Sequence, residues 1–140
     1  MKHCKAQAAL EYLIIITALL LALLPLVYLA NQQSVTASVI AEANAAVDSI
    51  ISNADYAFSL SPGSKTTAKI FVPQGYQANE SYLSSNVVFM KFYLANGKEV
   101  TTYGNAKGNL TGSLPSKWGY HQFSFTLLEN ASVLIEVAAP

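Results

Sequence analysis

A run of nineteen uncharged residues, Tyr12 to Ala30, constrains this chain more than any other feature of the sequence. As an α-helix the run would be about 28 Å long at ~1.5 Å per residue, close to the ~30 Å hydrocarbon core of a bilayer. Leucine, isoleucine and alanine dominate it, and it contains no glycine. It therefore predicts a helix that is transmembrane or fully buried. No small-residue cleavage site follows it, which argues against an ordinary secretory signal.

A single carboxylate, Glu11, stands at the N-terminal end of the run, one helical turn after Gln7. An ionised carboxylate in apolar surroundings costs several kcal/mol unless it is paired. Two interpretations are open: Glu11 lies near lipid headgroups, or it pairs with a cation inside a bundle of helices. In the second case we expect the cation to be an α-amino group that cleavage before Gln7 would create, on this or a neighbouring subunit.

Pro25 interrupts the apolar run. It cannot donate a hydrogen bond to the carbonyl of Leu21, and its ring crowds the preceding turn. A kink or local melting is therefore expected near this point. Either the proline is simply tolerated, as prolines often are in membrane helices, or it provides a flexible point for packing long helices into a bundle.

The helical pattern continues beyond the apolar run and then gives way to a different composition. Residues 31–60 are amphipathic, with apolar side chains at helical spacing and polar ones between them. Ser61-Pro62-Gly63 is a strong stop signal. From residue 64 to 140, threonine, valine and aromatic residues increase and turn signals recur. We expect an α+β fold: one long N-terminal helix over 7–60, hydrophobic over 7–30, followed by a small antiparallel β-sheet or β-sandwich over 64–140.

Alternation of apolar and polar residues predicts several strands in this second part. The predicted strands are Lys69–Val72, Asn86–Leu94, Glu99–Tyr103, Tyr120–Leu128 and Ser132–Ala138. Asn96-Gly97 is a typical two-residue hairpin turn between the second and third of them. The stretch Gly104–Ser116 is rich in glycine, serine, threonine and asparagine, so we expect it to be largely loop. The apolar side of the amphipathic helix is expected to cover one face of the sheet.

Three Asn-X-Ser/Thr sequons occur in the β-rich part, at Asn79, Asn109 and Asn130, and none occurs in the helix. All three fall at predicted loops or turns, which favours an external, glycosylated surface over a coincidence of composition.

The sequence offers no catalytic, cofactor-binding or metal-binding constellation, so we do not expect an enzyme. His121 stands at the start of a strand and is expected to be a half-buried or edge residue rather than a ligand, since metal sites need several convergent ligands. The acidic residues Glu99, Glu129 and Glu136 are spread over hairpins and are expected to be solvated. Every basic residue is lysine, so the bidentate donors that suit phosphates and base edges are missing, and nucleic-acid binding is not expected.

The N-terminal residues resemble the class III signal of archaeal type IV pilins. Lys5-Ala6 precedes Gln7-Ala8-Ala9-Leu10-Glu11-Tyr12 and the apolar run. The resemblance implies cleavage between Ala6 and Gln7 by a membrane prepilin peptidase, with residues 1–6 as the leader. It also implies that the apolar helix packs into a filament core and that Glu11 takes part in subunit recruitment and neutralises a neighbour's N-terminus. Ala6 departs from the pattern, because glycine is more usual before the cut.

We therefore expect a structural subunit of an extracellular archaeal type IV pilus, assembled from copies of itself and used for adhesion. The glutamine after the cut resembles adhesion-type pilins more than archaellins. The precursor would reside in the cell membrane, and assembly would need a cytoplasmic ATPase and a membrane platform, as the resemblance implies. Two alternatives are open: a single-span membrane protein whose external β domain binds a ligand or surface, and an archaellin of a motility filament.

Overall fold

The structure, a computed structural model, describes residues 2–138, and it describes side-chain surroundings for Gln7 and from Ala9 onward. One long helix, α1 (Lys2–Phe58), precedes seven strands and a short 3₁₀ helix, η1 (Ala78–Glu80). The chain divides into two compact units, Met1–Ala37 and Ser38–Pro140. The helix begins before the predicted Gln7 and ends close to the predicted position 60. The expected α+β class, a long N-terminal helix followed by β-sheet, is confirmed.

The second half of α1 is a core element of the second unit. Its buried side chains recur at intervals of three and four residues, which places them on one side of the helix. These residues are Ala43, Ala46, Val47, Ile50, Ala54 and Ala57. They join a single apolar cluster with the buried residues of the strands. The predicted packing of the amphipathic helix against the sheet is therefore confirmed.

Within residues 2–138, seven strands follow the helix. Their bounds are β1 (Lys65–Val72), β2 (Tyr82–Ser84), β3 (Val87–Tyr93), β4 (Glu99–Asn105), β5 (Asn109–Gly112), β6 (Gly119–Leu127) and β7 (Ser132–Val137). Burial alternates along most of them, because successive side chains of a strand point to opposite faces. All five predicted strands are present, with ends that differ by up to four residues.

The strands form two sheets. The larger has the order β1-β6-β7-β5, and the smaller has the order β2-β3-β4. β3 and β4 are joined through Asn96-Gly97, where Gly97 has a φ of +76°, so the predicted hairpin is confirmed. The core between the two sheets and α1 contains the large, fully buried side chains Phe92, Phe123, Phe125, Ile50 and Met90.

Two details of the β-rich part were predicted wrongly. The stretch Gly104–Ser116 is not largely loop, because β4 extends to Asn105 and β5 occupies Asn109–Gly112. The sheets are also not entirely antiparallel, since β5 pairs with β7 in parallel. Gly112 makes that pairing possible at its end: its φ is +120°, and a Cβ at this position would collide with the Ile135 carbonyl oxygen.

Candidate functional site: the exposed apolar segment of α1

The first half of α1 carries large apolar side chains that are exposed to solvent. We call residues 9–35 the apolar segment. Its large side chains are all close to half exposed or more: Leu10, Tyr12, Leu13, Ile14, Ile15, Ile16, Leu19, Leu20, Leu21, Leu23, Leu24, Leu26, Val27, Tyr28, Leu29 and Val35. Soluble proteins rarely expose so much contiguous apolar surface. Exposed apolar surface of this extent is typical of segments that contact lipid or other protein chains.

The helix is suited to a membrane by its length and composition. Within Ala9–Phe58 it contains one stretch that is long and apolar enough to cross a bilayer. The fold and this surface together define a class: an α+β protein with a long apolar N-terminal helix that is compatible with membrane anchoring or with a signal sequence.

Polar side chains in and beside the apolar segment are bonded within the helix. The Thr17 hydroxyl donates to the Leu13 carbonyl at 2.8 Å, and the Thr36 hydroxyl donates to the Gln32 carbonyl at 3.0 Å. The Gln32 amide donates to the Tyr28 hydroxyl at 2.8 Å. These bonds lower the cost of placing such side chains in apolar surroundings, because their donors need no water.

The residues of the predicted cleavage and assembly site lie at the start of α1. Gln7 and Glu11 are both exposed, and their spacing of four residues places them on the same side of the helix. The side-chain surroundings of Ala6 lie outside the described residues. Cleavage before Gln7 and pairing of Glu11 with a new α-amino group both remain predictions, because both concern the processed chain.

Pro25 is exposed within a helix that continues through it without interruption. The predicted local melting near Leu21 to Pro25 is therefore not observed, because the helix is continuous there, whereas a kink remains a prediction. Proline still removes one backbone hydrogen bond from this turn.

The three sequon asparagines are all exposed. Asn79 lies in η1, and Asn130 lies in the turn between β6 and β7, where its side-chain oxygen accepts a hydrogen bond from the Ser132 backbone N–H at 3.2 Å. Asn109 is the first residue of β5, so its predicted loop position is wrong. Exposure makes each asparagine accessible to a modifying enzyme.

His121 is half-buried, as predicted, and one of its ring nitrogens lies 2.9 Å from the Lys117 carbonyl oxygen. Among the described residues, no group of three or more histidine, cysteine, aspartate or glutamate side chains is arranged to hold a metal ion.

An ion-pair cluster on the smaller sheet was missed by the sequence reasoning. The Lys91 ammonium lies between the carboxylates of Glu80 and Glu99, at 3.1 Å from the latter. The Lys91 ammonium donates hydrogen bonds to the carboxylates of Glu80 and Glu99, and these bonds raise the pKa of Lys91, with Glu80 contributing most. The bond accepted from Lys91 lowers the pKa of Glu99. Glu99 was expected to be solvated; its side chain is 54% exposed, and it also pairs with Lys91. The hairpin register at Asn96-Gly97 was the available signal, since it places Glu99 diagonally opposite Lys91.

No family model, curated protein or solved structure matches this chain significantly. The coarse architecture, a long apolar N-terminal helix followed by β-sheet, is compatible with a pilin-like fold.

Proposed function

We propose that this chain is a structural subunit of an extracellular archaeal type IV pilus. The observation that supports the proposal best is the division of α1 into two halves of opposite exposure. The second half buries one side in the core of its own unit, whereas the apolar segment is exposed all around. In the precursor, a helix of this kind needs lipid around its apolar segment. In a filament, the helices of other copies can provide equivalent surroundings.

The energetics favour a partner for the apolar segment. Burying one large apolar side chain contributes roughly 1.5–3 kcal/mol. Exposed leucines and isoleucines recur along the entire segment. In a bundle of identical helices, each copy would provide the apolar surroundings that the bilayer provides to the precursor.

Processing would prepare the helix for this transfer. Cleavage between Ala6 and Gln7 by a prepilin peptidase would remove Lys2 and Lys5, the two positive side chains that precede the apolar run. It also creates an α-amino group next to the start of the bundle. Glu11 would pair with such a group on a neighbouring copy, because a buried carboxylate without a partner is strongly unfavourable.

The β-rich unit would form the outer surface of the filament and carry glycans on its exposed asparagines. In this proposal the protein is not an enzyme, binds no nucleic acid, and acts in adhesion. Assembly would depend on a cytoplasmic ATPase and a membrane platform. The precursor would reside in the cell membrane and the mature subunit at the cell surface.

N-terminal sequencing of the mature protein, combined with electron microscopy of cells, tests the proposal. We expect the mature chain to begin at Gln7 and the cells to carry filaments that contain it. Glu11→Gln should leave cleavage intact and reduce the number of filaments. Asp48→Asn, which removes an exposed carboxylate from the second half of α1, is the matched control and should assemble normally.

A different outcome would favour a single-span membrane protein with an external β domain. In that case the mature chain would retain Met1, remain in the membrane fraction and form no filaments. Filaments that are needed for swimming rather than for attachment would instead indicate an archaellin.

A further inference from the structure

An open groove lies in the second unit, between α1 and the edge strand β1. We call it the β1 groove. It has a volume of about 240 Å³, and its polar and aromatic lining consists of Glu42, Ser49, Lys69, Phe71 and Tyr120. The groove is open to solvent and is about the size of a single sugar ring, so such a ligand would lie in it with part of its surface exposed.

Aromatic rings form one wall of the groove. Tyr120 is 66% exposed, and its ring centroid lies 4.9 Å from that of Phe71. The two residues face each other across β1 and β6, so their separation is set by the sheet register. Tyrosine rings offer an apolar face and a hydroxyl at the rim, a combination that suits ligands with both C–H and O–H groups.

Charged and hydroxyl groups surround this aromatic wall. The Lys69 ammonium lies 5.0 Å from the centroid of the Tyr120 ring. Among the described residues, no carboxylate lies within 4.0 Å of Lys69. An exposed cation–π contact is worth only about 0.5–1 kcal/mol, so Lys69 is free to exchange it for a hydrogen bond to a ligand. Glu42 adds carboxylate acceptors, one of which already accepts a bond from the Ser38 hydroxyl at 3.2 Å.

We propose that the β1 groove binds a single sugar ring. The hydroxyls of a sugar would donate to Glu42 and accept from Lys69 and Ser49, while its C–H face would stack on Tyr120. An apolar peptide would bury Glu42 and Lys69 without partners, which is costly. A polyanion would meet one lysine beside a carboxylate, which is too little positive charge to hold it. The proposal does not depend on filament formation.

The test uses the full chain in micelles of a detergent without a sugar headgroup. Glucose, galactose, mannose, N-acetylglucosamine and glucuronate are titrated in turn by saturation-transfer NMR. We expect at least one of them to bind in the millimolar range or tighter. Tyr120→Ala and Glu42→Gln should each weaken that binding by about tenfold or more, a change of ~1.4 kcal/mol. Tyr103→Ala removes an equally exposed tyrosine from the other sheet and should leave it unchanged.

Three results would overturn the assignment: no sugar of the panel binds, Tyr103→Ala weakens binding as much as Tyr120→Ala does, or Tyr120→Ala changes only the self-association of the protein. The last result would make the groove an interface between copies.

A further experiment identifies the source of the sugar. It compares natively modified protein with a variant from the same host in which Asn79, Asn109 and Asn130 are all replaced by glutamine. If the groove holds a glycan of the protein itself, added sugar binds more tightly to this variant. If it holds a glycan from another surface, the affinity is the same. Both results support a sugar site.

Discussion

Replacing Ile50 by alanine should unfold the second unit at a much lower temperature while leaving the apolar segment untouched. Ile50 is completely buried in the cluster between α1 and the sheets. Such a substitution removes buried methyl and methylene groups and leaves a cavity, which costs about 2–5 kcal/mol. For a unit of about 100 residues, 1 kcal/mol corresponds to roughly 4–8 °C in Tm. A loss of about 3 kcal/mol should therefore lower Tm by roughly 12–24 °C.

Ile15→Ala is the matched control, because it makes the same chemical change in the same helix. Ile15 is 62% exposed, so its replacement should change the stability of the second unit by less than about 0.5 kcal/mol. Its effect should appear instead in the number of filaments, since a side chain of the proposed bundle is shortened. Stability is measured by thermal unfolding of the full chain in micelles with near-ultraviolet circular dichroism, and filaments are counted by electron microscopy.

The two variants test separate steps of the reasoning. Equal losses of Tm would mean that the two halves of α1 do not differ in the way their exposure indicates. A stable Ile15→Ala protein that assembles normally would leave the fold intact and contradict the role proposed for the apolar segment.

Three further substitutions probe the second unit. Gly108→Ala should cost about 1–3 kcal/mol in thermal unfolding, because its Cβ would collide with the Phe58 ring at the end of α1. Glu99→Gln should reduce the loss of Tm between about pH 5 and pH 3. Lys91 lowers the pKa of Glu99 in the folded state. The ion pair therefore stabilises the fold above the unfolded pKa of ~4.3, and this stabilisation is lost as pH falls through the folded-state pKa. Tyr76→Phe should change the free energy of unfolding by no more than about 1 kcal/mol, since the Tyr76 hydroxyl is buried and the Ser81 hydroxyl beside it is already bonded to the Gln77 carbonyl and the Lys91 backbone N–H.

Each of these substitutions has a matched control. Gly97→Asn places a residue that tolerates positive φ in open space and should be nearly neutral. Glu129→Gln is the control for Glu99→Gln, because it removes an exposed carboxylate that forms no ion pair among the described residues. Tyr103→Phe removes an exposed hydroxyl and should be neutral. The reasoning is contradicted if a control changes stability as much as its partner variant, or if Tyr76→Phe is destabilising by more than about 1 kcal/mol.

Local patterns in the sequence account for most of the elements. The helix, its end near Ser61-Pro62-Gly63 and the hairpin at Asn96-Gly97 all follow from propensity, periodicity and turn chemistry. The alternation of Phe123, Phe125 and Leu127 correctly predicts the buried face of β6. Such signals are readable because they depend on residues that are neighbours in the chain.

Non-local pairing is where sequence reasoning fails. β5 contains glycine, threonine and asparagine, and it becomes a strand only because β7, more than twenty residues later, provides a parallel partner. β1 likewise pairs with β6, although the three strands of the smaller sheet lie between them along the chain. No local pattern indicates such partners, because strand propensity largely reflects packing against neighbouring strands of the sheet. The sides of the β1 groove come from α1, β1 and β6, so no motif could predict that site.

The two halves of α1 differ in the size of their apolar side chains, and this difference matches their environments. The buried side of the second half relies on alanine at positions 43, 46, 54 and 57, all at most 2% exposed. Small side chains let a helix approach a sheet closely and leave room for the phenylalanines of the strands. The apolar segment uses leucine and isoleucine almost all around its surface. A helix that is apolar on every side suits full immersion, in lipid or among other helices, and not the face of a single domain. The two halves of the helix therefore suit two different surroundings. The strands of this chain surround the buried side of the second half, whereas the apolar segment needs lipid or other helices.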